Sequence, residues 1–224
     1  MISVEQALEK VLSYAAVLEP EEAPILDAIG QVLAEDVVSG INIPPLDNSA
    51  MDGYAVRSDD TLTASQQSPR LLRVIDIVIA GSISRHRVEP GTAIRIMTGA
   101  PVPAGADSVI MFEETDEDQR RRAPSGQSAA EIGILCKVTP GLNIRRAGED
   151  IASGAVVLRK GTVIRPAEVG VLASLGRSTV AVIRRPVVAI LATGNELVEL
   201  GQPLEPGKIY NSNTYSVAAL VKRY

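Results

Sequence analysis

Residues 44–57 read PPLDNSAMDGYAVR: two prolines, then Asp47, Asn48, Ser49, Ala50 and Met51, an Asp52-Gly53 pair, and a short apolar run. A turn between strands calls for Asn, Asp and Gly, each for its own backbone reason. It does not call for two carboxylates, an amide, a hydroxyl and a thioether together. Two readings follow. In one, Asp47 and Asn48 bond local backbone and Asp52-Gly53 makes a hairpin turn. In the other, the loop displays a working carboxylate. Turn chemistry is the better reading for Asp47; both stand for Asp52.

From this stretch to Pro140, short apolar runs alternate with Gly/Pro turns. YAVR, LLRVIDIVIA, AIRIMT, SVIMF and IGILCKV are separated by EPG, GAPVPAG and TPG. That spacing predicts an all-β barrel or sandwich over residues 45–140. DEDQRRRAPSGQSAAE, Asp116–Glu131, divides two of the runs and reads as a long hairpin loop with a solvated charged face.

Working outward, Ser3 and Gln6 form a capping box. Val4, Ala7, Leu8, Val11, Leu12 and Ala15 then recur at the spacing of one buried helix face. A second helix is predicted from about Leu26 to Ala34, and a short strand over Asp36–Ser39. Beyond Pro140 come a hairpin-like pair, AVVLRKGTVI, a helix over Ala167–Gly176, and a strand, STVAVI. PVVAILATGNEL, Pro186–Leu197, is a continuous apolar run suited to a parallel strand buried on both faces. Asn211, Ser212 and Asn213 offer N-caps for a last helix carrying Val217, Leu220 and Val221. A buried parallel strand followed by a helix is the first half of a βαβ unit. The strands that would flank it are missing from the sequence, so the chain reads as truncated at a domain's first βα unit.

Composition narrows the chemistry. Hydrophobic residues make up 46% of the 224, with one Phe and no Trp, so the core is aliphatic. A net charge of −5 gives no bulk attraction for nucleic acid or anionic membrane. No apolar run approaches the roughly 18 residues of a membrane span, and MISVEQALEK lacks the pattern of a signal peptide. A single Cys excludes an internal disulfide, and a cytoplasmic protein is the expectation. One His and one Cys cannot build a His/Cys zinc site. A Ser-His-Asp triad would need His86, flanked by two arginines in SISRHRVEPG, where an exposed strand end is the better reading. Carboxylates, hydroxyls, Arg/Lys and backbone amides remain, a set suited to Mg²⁺ and phosphorylated ligands.

Three further segments carry candidate residues. RIMTGAPVPAGAD, Arg95–Asp107, sets Thr98 and Gly99 at a strand end, either to meet a phosphate or pterin-like ring or to make a wide turn. The turn is the better reading from these residues alone. NIRRAGEDI, Asn143–Ile151, pairs Arg145-Arg146 with Glu149-Asp150 around Gly148. It is either a phosphate or carboxylate fork or a self-neutralising surface cluster. ATGNEL places Thr193, Gly194, Asn195 and Glu196 beyond the carboxyl end of the predicted parallel strand, where ligands of open α/β sheets bind. GQPLEPGK, Gly201–Lys208, is no P-loop, because its spacing is wrong and Ile209 stands where Ser/Thr belongs.

In this order, PPLDNSAMDGYAVR, RIMTGAPVPAGAD, NIRRAGEDI, the ASLG helix end and ILATGNEL followed by GKIYNSN resemble the molybdopterin molybdenumtransferase family. That family comprises the bacterial MoeA proteins and the E domain of gephyrin. The resemblance runs almost end to end. It implies Mg²⁺-dependent insertion of molybdate into adenylylated molybdopterin with release of AMP, by a homodimer of elongated, multi-domain subunits. It implies a mostly β fold with α/β: a β-rich, barrel-like domain over 45–140 inserted in a small linker domain made of 1–44 and 141–177. The start of a MoaB/MogA-like α/β domain would follow over 178–224, incomplete. Asp52, Thr98 and Glu196 match catalytic positions. Ser49, Met51, Gly99, Arg145, Arg146, Asp150, Thr193, Gly194 and Asn195 match positions near substrate. No metal ligand is assigned to this chain, since the family's later motifs supply most contacts to molybdate and Mg²⁺. The chain alone is therefore expected to be inactive. A non-catalytic dimerisation or binding module of the same fold is the alternative.

Overall fold

The computed structural model describes residues 2–122 and 131–223. They form two compact units: Val38–Ala155, and the flanking segments up to Val37 and from Val156.

The five predicted runs become the five strands of one sheet in the Val38–Ala155 unit. In spatial order these are Ser108–Met111, Gly53–Val56, Thr92–Ile96, Arg70–Val78 and Glu131–Ile134. Only Arg70–Val78 and Thr92–Ile96 run parallel; the other neighbours are antiparallel. The outer strands meet through the residues that follow one of them. Thr115 bridges Ile134, Asp116 N–H donates to the Gly133 carbonyl (2.9 Å), and Leu135 N–H to the Glu114 carbonyl (3.0 Å). The sheet thus curls into a barrel, which removes open edges.

Packing explains why the Gly53–Val56 strand is apolar at every position. Tyr54 and Val56 enter one buried cluster with Leu72, Ile110, Ile132 and Ile134. Ala55, between them, enters another with Val78, Ile94, Ile96 and Val109. Both faces of this strand are covered, so alternation is lost there. Each fully buried aliphatic side chain contributes about 1.5–3 kcal/mol. Gly53 belongs here by close approach: a Cβ on it would lie 1.8 Å from the Ile110 carbonyl oxygen. The Asp116–Glu131 loop differs from its prediction. Asp116 accepts the Gly133 amide (2.7 Å) and Arg120 Nε (2.8 Å), and Glu117–Arg122 is helical. Residues 123–130 lie outside the described residues. His86 is exposed as predicted, but in a turn, with Nδ1 3.3 Å from Asp76.

In the other unit, Pro20–Pro24 pairs antiparallel with Thr179–Ile183, and helix Pro166–Ser174 packs Leu172 against Ala28, Leu33, Ile164 and Val182. The helix predicted near Leu26–Ala34 does not form. Ala28 N–H bonds the Pro24 carbonyl, Gly30 turns the chain at φ +84°, and Leu33 N–H donates to Thr162 while Ile164 N–H donates to Gln31. That pairing also takes Thr162–Ile164 out of the predicted hairpin. Helix Val4–Leu12 carries its Ser3–Gln6 capping box, yet its apolar face is not buried: Leu8 is 58% and Val11 67% exposed.

The strand predicted at Pro186–Leu197 is the main departure. A strand buried on both faces needs a neighbour on each side, and the described residues supply neither. Val187 and Leu191 are 92% and 88% exposed. Only Leu197–Val198 pairs, in parallel, with Ile209–Tyr210 ahead of helix Ser212–Arg223, whose Thr214 amide donates to Asn211 Oδ1 (3.3 Å). The incomplete MoaB/MogA-like sheet is not formed here. No helix among the described residues is long and apolar enough to cross a membrane.

Candidate functional site

The central strand Gly53–Val56 is held on both sides, with Gly53 opposite Ile96 and Met111. Asp52 and Thr98 therefore leave the barrel at the same end. Asp52 Oδ1 accepts the Thr98 amide (2.7 Å) and the Thr98 hydroxyl (2.8 Å). These two bonds, amide first, with the nearby Arg95 charge, hold the Asp52 carboxyl below the usual range. Both side chains stay exposed. The hairpin-turn reading of Asp52-Gly53 is thereby excluded, since Gly53 is a strand residue.

Thr98-Gly99 is joined to the opening stretch by backbone. Gly99 N–H donates to the Ser49 carbonyl (2.8 Å) and Ser49 N–H to the Ala100 carbonyl (2.9 Å). Gly99 sits at φ +80°, a conformation that favours glycine. Ser49 is fully buried, and its hydroxyl donates to the Met51 carbonyl (2.5 Å) while accepting the Met51 amide (3.2 Å). Its hydroxyl thus shapes the loop, and Met51 is left on the surface.

NIRRAGEDI closes the third side. Ile144–Arg145 pairs antiparallel with Asn48–Ser49, and Ala50 N–H donates to the Asn143 carbonyl (2.9 Å). Arg145 Nη2 bonds both Asp150 oxygens (2.6 and 2.5 Å). Arg146 Nη1 bonds Asp47 Oδ2 (2.6 Å), and the Ala147 amide bonds Asp47 Oδ1 (2.8 Å). The amide and then the guanidinium hold the Asp47 carboxyl low. Asp47 is thus no local turn residue; it clamps a segment 99 positions away. Its sequence signal, an Asp two residues after a proline pair, is too common to have revealed this. Both arginines carry carboxylate partners, Arg145 within its own segment and Arg146 at Asp47 outside it. The three motifs 44–57, 95–107 and 143–151 converge in one unit.

The fourth motif lies in the other unit. Thr193 and Glu196 line a cavity of about 310 Å³ with Tyr210, Asn211, Asn213 and Thr214. Lys208 Nζ donates to the Asn195 carbonyl (2.5 Å), Ile209 N–H donates to the Glu196 carbonyl (2.8 Å), and the Glu196 carboxylate folds back over Gly194. No group of three or more His, Cys, Asp or Glu side chains among the described residues is arranged to hold a metal ion.

Comparison with known proteins fits this geometry. The family described as MoeA N-terminal region (domain I and II) matches residues 2–176. Molybdopterin molybdenumtransferase 2 of Mycobacterium tuberculosis H37Rv is 41% identical over 222 residues, covering 99% of this chain and 52% of that protein. Molybdopterin molybdenumtransferase of Bacillus subtilis 168 is 40% identical over 218 residues, covering 97% and 49%. The crystal structure of the molybdopterin biosynthesis moeA protein from Pyrococcus horikoshii OT3 superposes with a TM-score of 0.85 at 39% identity, covering 98% of this chain and 56% of that one. The chain spans about half the length of the curated relatives it matches. It belongs to the family of the MoeA N-terminal region.

Proposed function

We propose that this chain supplies the barrel wall of the active cleft in a molybdopterin molybdenumtransferase. The observation that carries the reading is the exposed Asp52 carboxylate fixed by Thr98 at the barrel end, in a chain whose relatives bear that name. The reaction is insertion of molybdate into the dithiolene of adenylylated molybdopterin, with release of AMP. Two Mo–S bonds form as one molybdate oxygen leaves as water, carrying away the two dithiol protons. Attack of water on the phosphoanhydride frees AMP.

A carboxyl held below its usual range is ionised at neutral pH, so Asp52 acts as an acceptor and orienter. Thr98 keeps Oδ1 in place, leaving Oδ2 for the ligand. The Gly99 amide is already bonded to Ser49 and does not face the ligand. Of the residues of this chain, Asp52 could offer a Mg²⁺ ion one carboxylate oxygen, and the ion would supply neutralisation of phosphate charge. The protein works as a cytoplasmic homodimer.

Molybdate-dependent AMP release tests the reading, measured on protein carrying this chain with and without Asp52→Asn. The expected loss is roughly 10²-fold in turnover. Full turnover in a folded Asp52→Asn protein contradicts it and favours the non-catalytic module. Residues 1–224 alone are expected to show no AMP release.

A further inference from the structure

Thr98 follows one end of strand Thr92–Ile96; Thr92, at the other end, borders a cavity of about 570 Å³. That volume suits a small molecule. Arg73, Arg85 and Arg87 line it, with His86 beside them and Glu89 as the lining carboxylate. The three arginines are exposed, and among the described residues none has a carboxylate partner. Glu131 stands opposite Arg73 on the neighbouring strand without pairing with it. Elsewhere in the same unit Arg57, Arg95, Arg120, Arg145 and Arg146 each reach an Asp or Glu. The whole chain is acidic, at −5, so this gathering of unpaired positive charge runs against its balance.

The segment that carries the arginines is tied down. The Ser84 hydroxyl donates to Asp76 Oδ2 (2.5 Å) and accepts the His86 amide (3.0 Å), and His86 Nδ1 lies 3.3 Å from the same Asp76 oxygen. Val88 is buried, and its amide donates to the Ala104 carbonyl (2.8 Å). A Cβ on Gly105 would lie 2.3 Å from the Val88 carbonyl oxygen and 3.1 Å from Arg87 Cγ, so the Arg87 stem passes close over that glycine. The Thr92 hydroxyl accepts the Glu89 amide (2.8 Å). Arg85 and Arg87 thus stand on a fixed loop, and Arg73 on strand Arg70–Val78. A cleft lined by one sign of charge gathers counter-ions, and guanidinium forks match phosphate oxygens. Three guanidiniums against Glu89 leave two positive charges, close to the charge of a phosphomonoester at neutral pH. Val74 and Ile75, half-buried, add an apolar wall to the same cavity.

We propose that this cavity binds a small phosphomonoester with an apolar body, its phosphate held by Arg73, Arg85 and Arg87 and its body by Val74 and Ile75. The site is separate from Asp52 and does not depend on the transferase reading. Phenyl phosphate is the probe, followed by the arginine Nε–H and backbone amide resonances of this chain. Saturable shifts are expected at Arg73, Arg85 and Arg87, with Asp52 and Thr98 unmoved. Shifts that do not saturate, that sodium chloride reproduces at equal ionic strength, or that centre on Asp52 and Thr98 overturn the proposal. Inorganic phosphate should bind more weakly for want of the apolar contact; equal affinity overturns the assignment of an ester. Arg85→Gln/Arg87→Gln is expected to weaken phenyl phosphate roughly tenfold or more. Arg70→Gln removes a charge from the start of the same strand but outside the cavity, and should leave the affinity unchanged. An equal loss in Arg70→Gln overturns the site in favour of bulk charge. Should the double variant not fold, Arg73→Gln decides: weakened binding is expected, and wild-type affinity overturns the proposal.

Discussion

RIMTGA at Arg95–Ala100 and ILATGN at Ile190–Asn195 are the same signal written twice, an aliphatic run ending in Thr-Gly. The first lies in a strand with hydrogen-bonded neighbours on both sides, and its Thr98 is tied to Asp52. The second has no ladder partner among the described residues, and Leu191 and Thr193 are exposed. Local sequence gives each run its tendency to extend; neighbouring strands decide whether the tendency becomes a fixed site. In the barrel those neighbours lie within the same unit, while Pro186–Asn195 pairs with no strand among the described residues.

Hydrogen exchange should show the largest contrast between these regions. Amides of Ala93–Ile96 are expected to exchange at least roughly 10³-fold more slowly than those of Val187–Leu191, because they open only with the barrel. Equal rates would break the comparison. Gly53→Ala attacks the first region directly. With a Cβ 1.8 Å from a backbone oxygen, the strand must shift, and a loss of about 3 kcal/mol or more is expected in urea unfolding. A wild-type midpoint would mean that the barrel does not hold Gly53 as described.

Asp47→Ala sharpens the picture further down the scale. It releases Arg146 and the Ala147 amide at a partly exposed site, so about 1 kcal/mol is expected. Acid should act on the same loops. The Asp47 and Asp52 carboxyls are lowered in the folded chain, so their stabilisation is complete above the unfolded value of about 3.9. It is lost as pH falls through the folded values. The Thr98 amide resonance should follow Asp52 in that acid range, and a flat profile would argue against the bond. Smallest of all, Gly170→Ala sits in helix Pro166–Ser174 with nothing within 4 Å of its new Cβ. A gain of about 0.5–1 kcal/mol is expected in thermal unfolding.

Much of the barrel was legible in sequence because burial on both faces writes apolar residues at every position, as in Gly53–Val56. The site was partly legible. Asp52 and Thr98 could be singled out one at a time, but their bond spans 46 residues and leaves no local trace. Asp47 was misread for the same reason, its partner being 99 residues on. The helix predicted near Leu26–Ala34 failed because Gln31 and Leu33 find backbone partners at Thr162–Ile164, which outweigh local propensity. The Arg95–Glu117 ion pair (2.9 Å) carried no signal, since Glu117 lies in a segment whose charges suggested only solvation.

The most direct test of the account is a titration of this chain with adenylylated molybdopterin, followed by amide and carboxyl chemical shifts. The account predicts that Asp52 and Thr98 move together, and that Asp52→Asn abolishes the shifts at Thr98. Binding with both residues unmoved, or no binding at saturating ligand, would contradict the claim that this end of the barrel forms the cleft wall.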